Sequence, residues 1–84
     1  MVTIIYFARL REALGKASEQ LQLPAGVQDL NALREMLIAR GGAWATELTG
    51  GRSIRAAVNQ DMAQGNVSIK DGDEIAFFPP VTGG

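Results

Sequence analysis

The stretch Glu74-Ile75-Ala76-Phe77-Phe78, led in by Asp71-Gly72-Asp73 and stopped by Pro79-Pro80, decides how the chain must be built. Asp-Gly-Asp is a turn signal, the five residues after it favour a strand, and the proline pair ends that strand because proline cannot donate to a ladder. Side chains alternate along a strand, so Phe77 and Phe78 point to opposite faces of the sheet. Both faces therefore need something apolar to meet.

The opening of the chain poses the same problem. Val2-Thr3-Ile4-Ile5-Tyr6-Phe7 is rich in β-branched and aromatic residues and is predicted as a strand. Val2, Ile4 and Tyr6 share one face, Thr3, Ile5 and Phe7 the other, and both are mostly apolar. Arg9 to Leu14 is a short link with helical potential, stopped at Gly15. Gln20 to Leu23 alternates and ends at Pro24-Ala25-Gly26, which makes it the expected hairpin partner of the first strand.

Asp29 reads as a helix N-cap, since its carboxylate can accept from an orphan amide of the first turn. Leu30, Leu33 and Leu37 follow at helical spacing, Met36 and Ile38 widen the stripe, and Gly41-Gly42 ends it. Ala43 to Leu48 is a short irregular or helical piece whose Trp44 is expected to pack. Gly50-Gly51 makes a turn, Ile54 to Asn59 a strand, and Val67 to Ile69 a further short strand.

The order is hairpin, helix, then two or three strands. It fits an α+β fold of the ubiquitin-like β-grasp type: a mixed four- to five-stranded sheet packed on one main helix. The first and last strands are central and parallel, because the whole chain between them supplies the crossover. Residues 1–78 form this domain, and 79–84 form an extended tail. One helix covers one face, so the other is expected to remain an open apolar patch that docks a partner protein. Phe7 and Phe78 are assigned to that outer face, with Met62 on an adjoining loop, while Ile75 and Phe77 join the leucine stripe.

Composition narrows the function. Eighty-four residues, 46% of them hydrophobic, suffice for one small domain with a thin stability margin, and the mean hydropathy is +0.04. There is no cysteine, which excludes disulfides, thiolate zinc sites and a cysteine nucleophile. There is no histidine, which excludes a Ser-His-Asp triad and the usual base near neutral pH. A formal charge of −1 gives no footprint for nucleic acid or an anionic membrane. The apolar start lacks a charged leader and is cut off by Arg9 and Arg11, so no secretory or spanning segment is expected and the location is read as cytoplasmic. Asp71, Asp73 and Glu74 are explained by turn chemistry rather than by a metal. Arg9, Arg11 and Lys16 form a loose basic group, read as solvated surface with contact to an activating enzyme as the sharper option.

What remains is the tail, Pro79-Pro80-Val81-Thr82-Gly83-Gly84. Two prolines stiffen its base, two glycines leave its tip without side chains, and six residues reach roughly 20 Å when extended. Such a stalk can thread a narrow channel in another protein. A terminal carboxylate is a poor electrophile, but transfer to AMP from ATP makes a mixed anhydride that a sulfur donor can displace. Glycine at that position minimises the steric cost, and no catalytic side chain of the carrier is required.

The run Ala76-Phe77-Phe78-Pro79-Pro80-Val81-Thr82-Gly83-Gly84, with Asp71-Gly72-Asp73-Glu74 before it, closely resembles the small, sulfur-carrying subunits of molybdopterin synthase among the ubiquitin-like sulfur carriers. Ala57-Val58-Asn59-Gln60 and the opening strand through Phe7-Ala8 resemble that family too. The resemblance implies that an adenylating enzyme uses ATP to activate Gly84 and that a sulfur donor converts it to a thiocarboxylate. It implies that Pro79, Pro80, Val81, Thr82, Gly83 and Gly84 insert into the large subunit of a heterotetramer, two small and two large. Phe7, Met62 and Phe78 then lie at the docking surface. Two successive carriers turn cyclic pyranopterin monophosphate into the dithiolene of the molybdenum cofactor. On this reading the chain donates sulfur within a complex, binds no permanent cofactor and is not catalytic alone. A carrier for thiamine or thiolated tRNA, a conjugated modifier, and a non-covalent binding module stand as alternatives.

Overall fold

The computed structural model describes residues 1–49 and 54–79. The expected turn at Gly50-Gly51 and the tail residues Pro80, Val81, Thr82, Gly83 and Gly84 lie outside the described residues. The elements are β1 (Val2–Tyr6), α1 (Arg9–Leu14), β2 (Ser18–Leu21), α2 (Leu30–Ile38), α3 (Gly42–Leu48), β3 (Arg55–Val58), β4 (Asp61–Met62) and β5 (Glu74–Phe78).

The strands form one five-stranded sheet in the order β2-β1-β5-β3-β4. Its two central members, β1 and β5, run parallel, with Thr3 opposite Glu74 and Tyr6 opposite Phe77. β2 flanks β1 antiparallel, and β3 flanks β5 antiparallel. The mixed β-grasp sheet expected from the element order is the observed one.

Helix α2 starts at Asp29, whose carboxylate accepts from the Ala32 amide at 2.8 Å. Leu30, Leu33 and Leu37 are buried against the sheet, where Val2, Ile4, Tyr6, Ile75 and Phe77 meet them. Leu10 of α1 and Leu48 of α3 belong to the same cluster, so the two shorter helices share the side covered by α2. The Tyr6 ring stacks at 6.4 Å on Phe77 and meets Trp44 edge-on at 5.4 Å, which makes Trp44 a packing residue.

Three local readings are corrected. The hairpin partner spans Ser18–Leu21, not Gln20–Leu23, because Tyr6 donates its amide to Ala17 and its hydroxyl to Glu19, fixing the pairing two residues earlier. Met62 lies in β4 rather than on a loop: Asn59 and Gln60, with φ of 52° and 71°, make a tight turn that folds β4 back on β3. Val67 to Ile69 form no strand. Ser68 makes an isolated bridge to Asp29, while Val67 accepts from Leu30 at 2.9 Å, which fastens this segment to the start of α2.

Candidate functional site

The helix-free side of the sheet follows from the register. Ser18, Ile5, Ala76, Ala57 and Met62 lie in one row across all five strands, and directly paired residues point to the same side. Phe78 is paired with Arg55 on that side, and Phe7 continues the alternation of Thr3 and Ile5 just past the end of β1. Phe7 is 48% exposed and Met62 51% exposed, while Phe78 and Ile5 are half-buried. The opposite row, Tyr6, Phe77 and Ala56, is buried beneath the helices. An apolar surface of this kind on a small domain is a candidate docking site.

Backbone geometry sets the edge of the surface. The Phe7 amide donates to the Phe77 carbonyl at 3.1 Å, which ties the end of β1 to the end of β5. Ala8 then reverses the chain with φ 53°, a conformation that a residue with a Cβ adopts only under strain. The Phe7 carbonyl accepts from Leu10 at 3.1 Å and the Ala8 carbonyl from Arg11 at 3.1 Å, so the reversal leads directly into α1. Phe7 is left on the corner beside Phe78. Pro79, half-buried, is the last described residue and forms the root of the tail.

The polar chemistry sits on the covered side. Tyr6 donates its hydroxyl to Glu19 at 2.7 Å, and Arg40 donates two bonds to the same carboxylate, each at 2.9 Å. The Arg40 guanidinium lies 4.4 Å from the Trp44 ring centroid. The Arg40 hydrogen bonds hold the Glu19 carboxyl below its ordinary range, against the opposing effect of burial and with help from Tyr6. Burial, then the Glu19 hydrogen bond, push the Tyr6 hydroxyl far above the usual phenol value. Arg9 donates to the buried Glu47 at 3.2 Å, joining α1 to α3. Asp73 accepts from Asn59 at 3.0 Å and from the Lys70 amide at 2.9 Å, and both hydrogen bonds, Asn59 first, lower its carboxyl. These groups brace the scaffold.

Among the described residues no group of His, Cys, Asp and Glu side chains is placed to hold a metal ion. No helix among them is long and apolar enough to cross a membrane. Of the residues singled out in the sequence, Phe7, Phe78 and Pro79 lie at the end of the sheet where β1 and β5 finish, Met62 lies on the same side but on the edge strand β4, in the row of Ala57 and Ala76, and Pro80, Val81, Thr82, Gly83 and Gly84 fall outside the described part. The half-buried Ile5 and Ala76 add to the surface, while Ala57, on the same side, is buried. Ile5 was legible from its shared parity with Phe7, whereas Arg55 needed the observed pairing with Phe78.

Comparison with known proteins gives concordant results. A model of the ThiS family matches residues 4–84. The chain is 39% identical over 84 residues to the molybdopterin synthase sulfur carrier subunit of Escherichia coli K12, covering 100% of each. It is 40% identical over 84 residues to the Haemophilus influenzae protein of the same description, again covering 100% of each. Among solved structures, SAMP1 from Haloferax volcanii superposes with a TM-score of 0.79 at 25% identity, covering 99% of this chain and 98% of that one. A chain from the complex of subunits 1 and 2 of the molybdopterin-converting factor of Helicobacter pylori superposes with a TM-score of 0.69 at 26% identity, covering 99% and 97%.

Proposed function

The chain belongs to the ThiS family, and from that premise we propose that it works as the sulfur-carrying small subunit of a molybdopterin synthase, with the Gly84 carboxylate as its reactive group. An adenylating enzyme joins that carboxylate to the α-phosphorus of ATP and releases pyrophosphate. Sulfide-level sulfur from the donor then attacks the Gly84 carbonyl carbon, AMP departs with the electrons of the broken C–O bond, and loss of the remaining proton from sulfur leaves a thiocarboxylate. Val81, Thr82, Gly83 and Gly84, rooted on Pro79-Pro80, carry it into the large subunit. There the thiocarboxylate sulfur bonds to a carbon of cyclic pyranopterin monophosphate and displaces the oxygen that carbon bears, and water then cleaves the acyl carbon–sulfur bond, which leaves the sulfur on the substrate and returns Gly84 to the free acid.

The observation that carries this reading is the apolar helix-free surface of Phe7, Met62 and Phe78, continuous with the strand from which the tail leaves. The chain lacks cysteine and histidine, and its described carboxylates with shifted titration are occupied in bracing contacts, which fits a carrier whose chemistry is supplied by its partners. The likeness to one subunit of a two-subunit converting factor supports a large-subunit partner, with two copies of each as the expected assembly.

The test is direct. The chain is incubated with its activating enzyme, ATP and a sulfur source and then weighed intact. The expected result is a mass gain equal to replacing one oxygen by sulfur at Gly84. No gain, with an enzyme and donor active on a known carrier, overturns the proposal. Deleting Gly84 should abolish the gain while leaving thermal unfolding unchanged.

A further inference from the structure

Helix α1 opens on a residue that breaks two local rules. The Phe7 carbonyl accepts from Leu10 at 3.1 Å, which closes a four-residue turn with Ala8 as its first central residue. Ala8 has φ 53° and ψ −127°, the values of a type II′ turn, where glycine is the usual occupant because a β carbon is crowded there. Ala8 is also the N-cap of α1, a place that favours serine, threonine, aspartate, asparagine or glycine, and it supplies no capping hydrogen bond. Glycine suits both demands better than alanine.

Nothing within the domain compensates. Ala8 is exposed and lies outside the buried cluster, so its methyl packs no core. The other non-glycine residues at positive φ among those described are Asn59 and Gln60. There Asn59 donates to Asp73 and accepts from the Glu74 amide, each at 3.0 Å, so a side chain holds the turn in place. Ala8 has no polar atom with which to do the same. What adjoins it is the corner of the open face: Phe7 precedes it, and the bond from the Phe7 amide to the Phe77 carbonyl sets Phe78 and then Pro79 alongside. Strained residues of this kind persist where the conformation or the side chain serves a function.

We propose that Ala8 is a docking residue whose methyl continues the apolar surface of Phe7 and Phe78 around the corner into α1 and is buried by the large subunit. The inference rests on the carrier reading above. A methyl contributes to affinity only where its partner excludes water, so the matching surface is apolar and packs closely on this corner. The backbone strain is then carried by the free chain for the sake of a contact in the complex. Removing the methyl has two consequences of opposite sign: the free chain gains stability, and the complex loses affinity. A residue that only shapes the fold moves the two together.

Ala8→Gly, Ala8→Ser and, as a reference, Phe78→Ala are each compared with the native chain, by thermal unfolding and by titration calorimetry into the large subunit. Ala8→Gly is expected to raise the melting temperature by about 4 °C and to weaken docking about 4-fold. Ala8→Ser restores the β carbon, and with it the strain. It should melt below Ala8→Gly and bind at least ~2-fold more tightly than that variant. Unchanged affinity in Ala8→Gly, with Phe78→Ala weakened, overturns the inference and leaves the carrier reading standing. So does a lower melting temperature in Ala8→Gly, or a loss of affinity in Ala8→Ser as large as in Ala8→Gly. Native affinity in both Ala8→Gly and Phe78→Ala, or no binding by the native chain, overturns the docking face of the carrier reading and this inference with it.

Discussion

Phe77 and Phe78 are adjacent in the chain and serve opposite sides of one sheet. Phe77 is fully buried, stacked on Tyr6 within a cluster closed by the leucines of α2. Phe78 stands on the other side with the exposed Phe7 and Met62. On the covered side, the chain's own helices exclude water from the apolar residues. On the open side, only a second polypeptide can do so. If the open side docks the proposed partner, folding and docking draw on alternate residues of β1 and β5, and the contributions are separable by substitution.

The largest effect is expected from the covered side. Phe77→Ala leaves a cavity beneath α2 and should cost about 3–5 kcal/mol in chemical denaturation, a large fraction of the stability of so small a domain. Phe78→Ala should move the unfolding midpoint little, yet lower affinity for the large subunit by roughly 2 kcal/mol, about 30-fold in titration calorimetry. If Phe78→Ala unfolds the domain as readily as Phe77→Ala, the division between the two faces is wrong. A smaller loss is expected where the covering helix begins. Asp29→Ala removes the cap on Ala32 and should cost about 1 kcal/mol of stability without touching the docking surface.

The smallest effect is one of pH. Because Glu19 is held below the ordinary carboxylate range, its interaction stabilises the fold above that range and is lost as pH falls through the lowered value. The melting temperature should therefore decline on acidification from neutral pH. Glu19→Gln should flatten part of the decline and leave part, since Asp73 is shifted in the same direction. A pH profile unchanged by Glu19→Gln removes Glu19 from the account of the covered side.

Much of this division was legible in the residues. The alternation of Val2 to Phe7, the leucine spacing after Asp29 and the proline stop after Phe78 are local signals, and each reports the nearest few neighbours. The open face followed from counting: two strands apolar on both sides, and one long helix. The short β4 was hidden because two residues carry no periodicity, although Asn59 at a left-handed position was a turn signal. The start of β2 was missed because Ser18 to Gln20 is polar, and its register depends on Tyr6, thirteen residues before Glu19. The Tyr6-Glu19-Arg40 brace and the Arg9-Glu47 tie join residues 13 to 38 positions apart, a separation that no local pattern encodes.

The side-by-side placement of β1 and β5 bears on how the molecule is made. The sheet's middle pairs two strands separated by almost the whole described chain. The centre cannot close before β5 is available, a non-local pairing that slows folding. A polypeptide that stops before residue 74 lacks the strand to which β1 and β3 both pair.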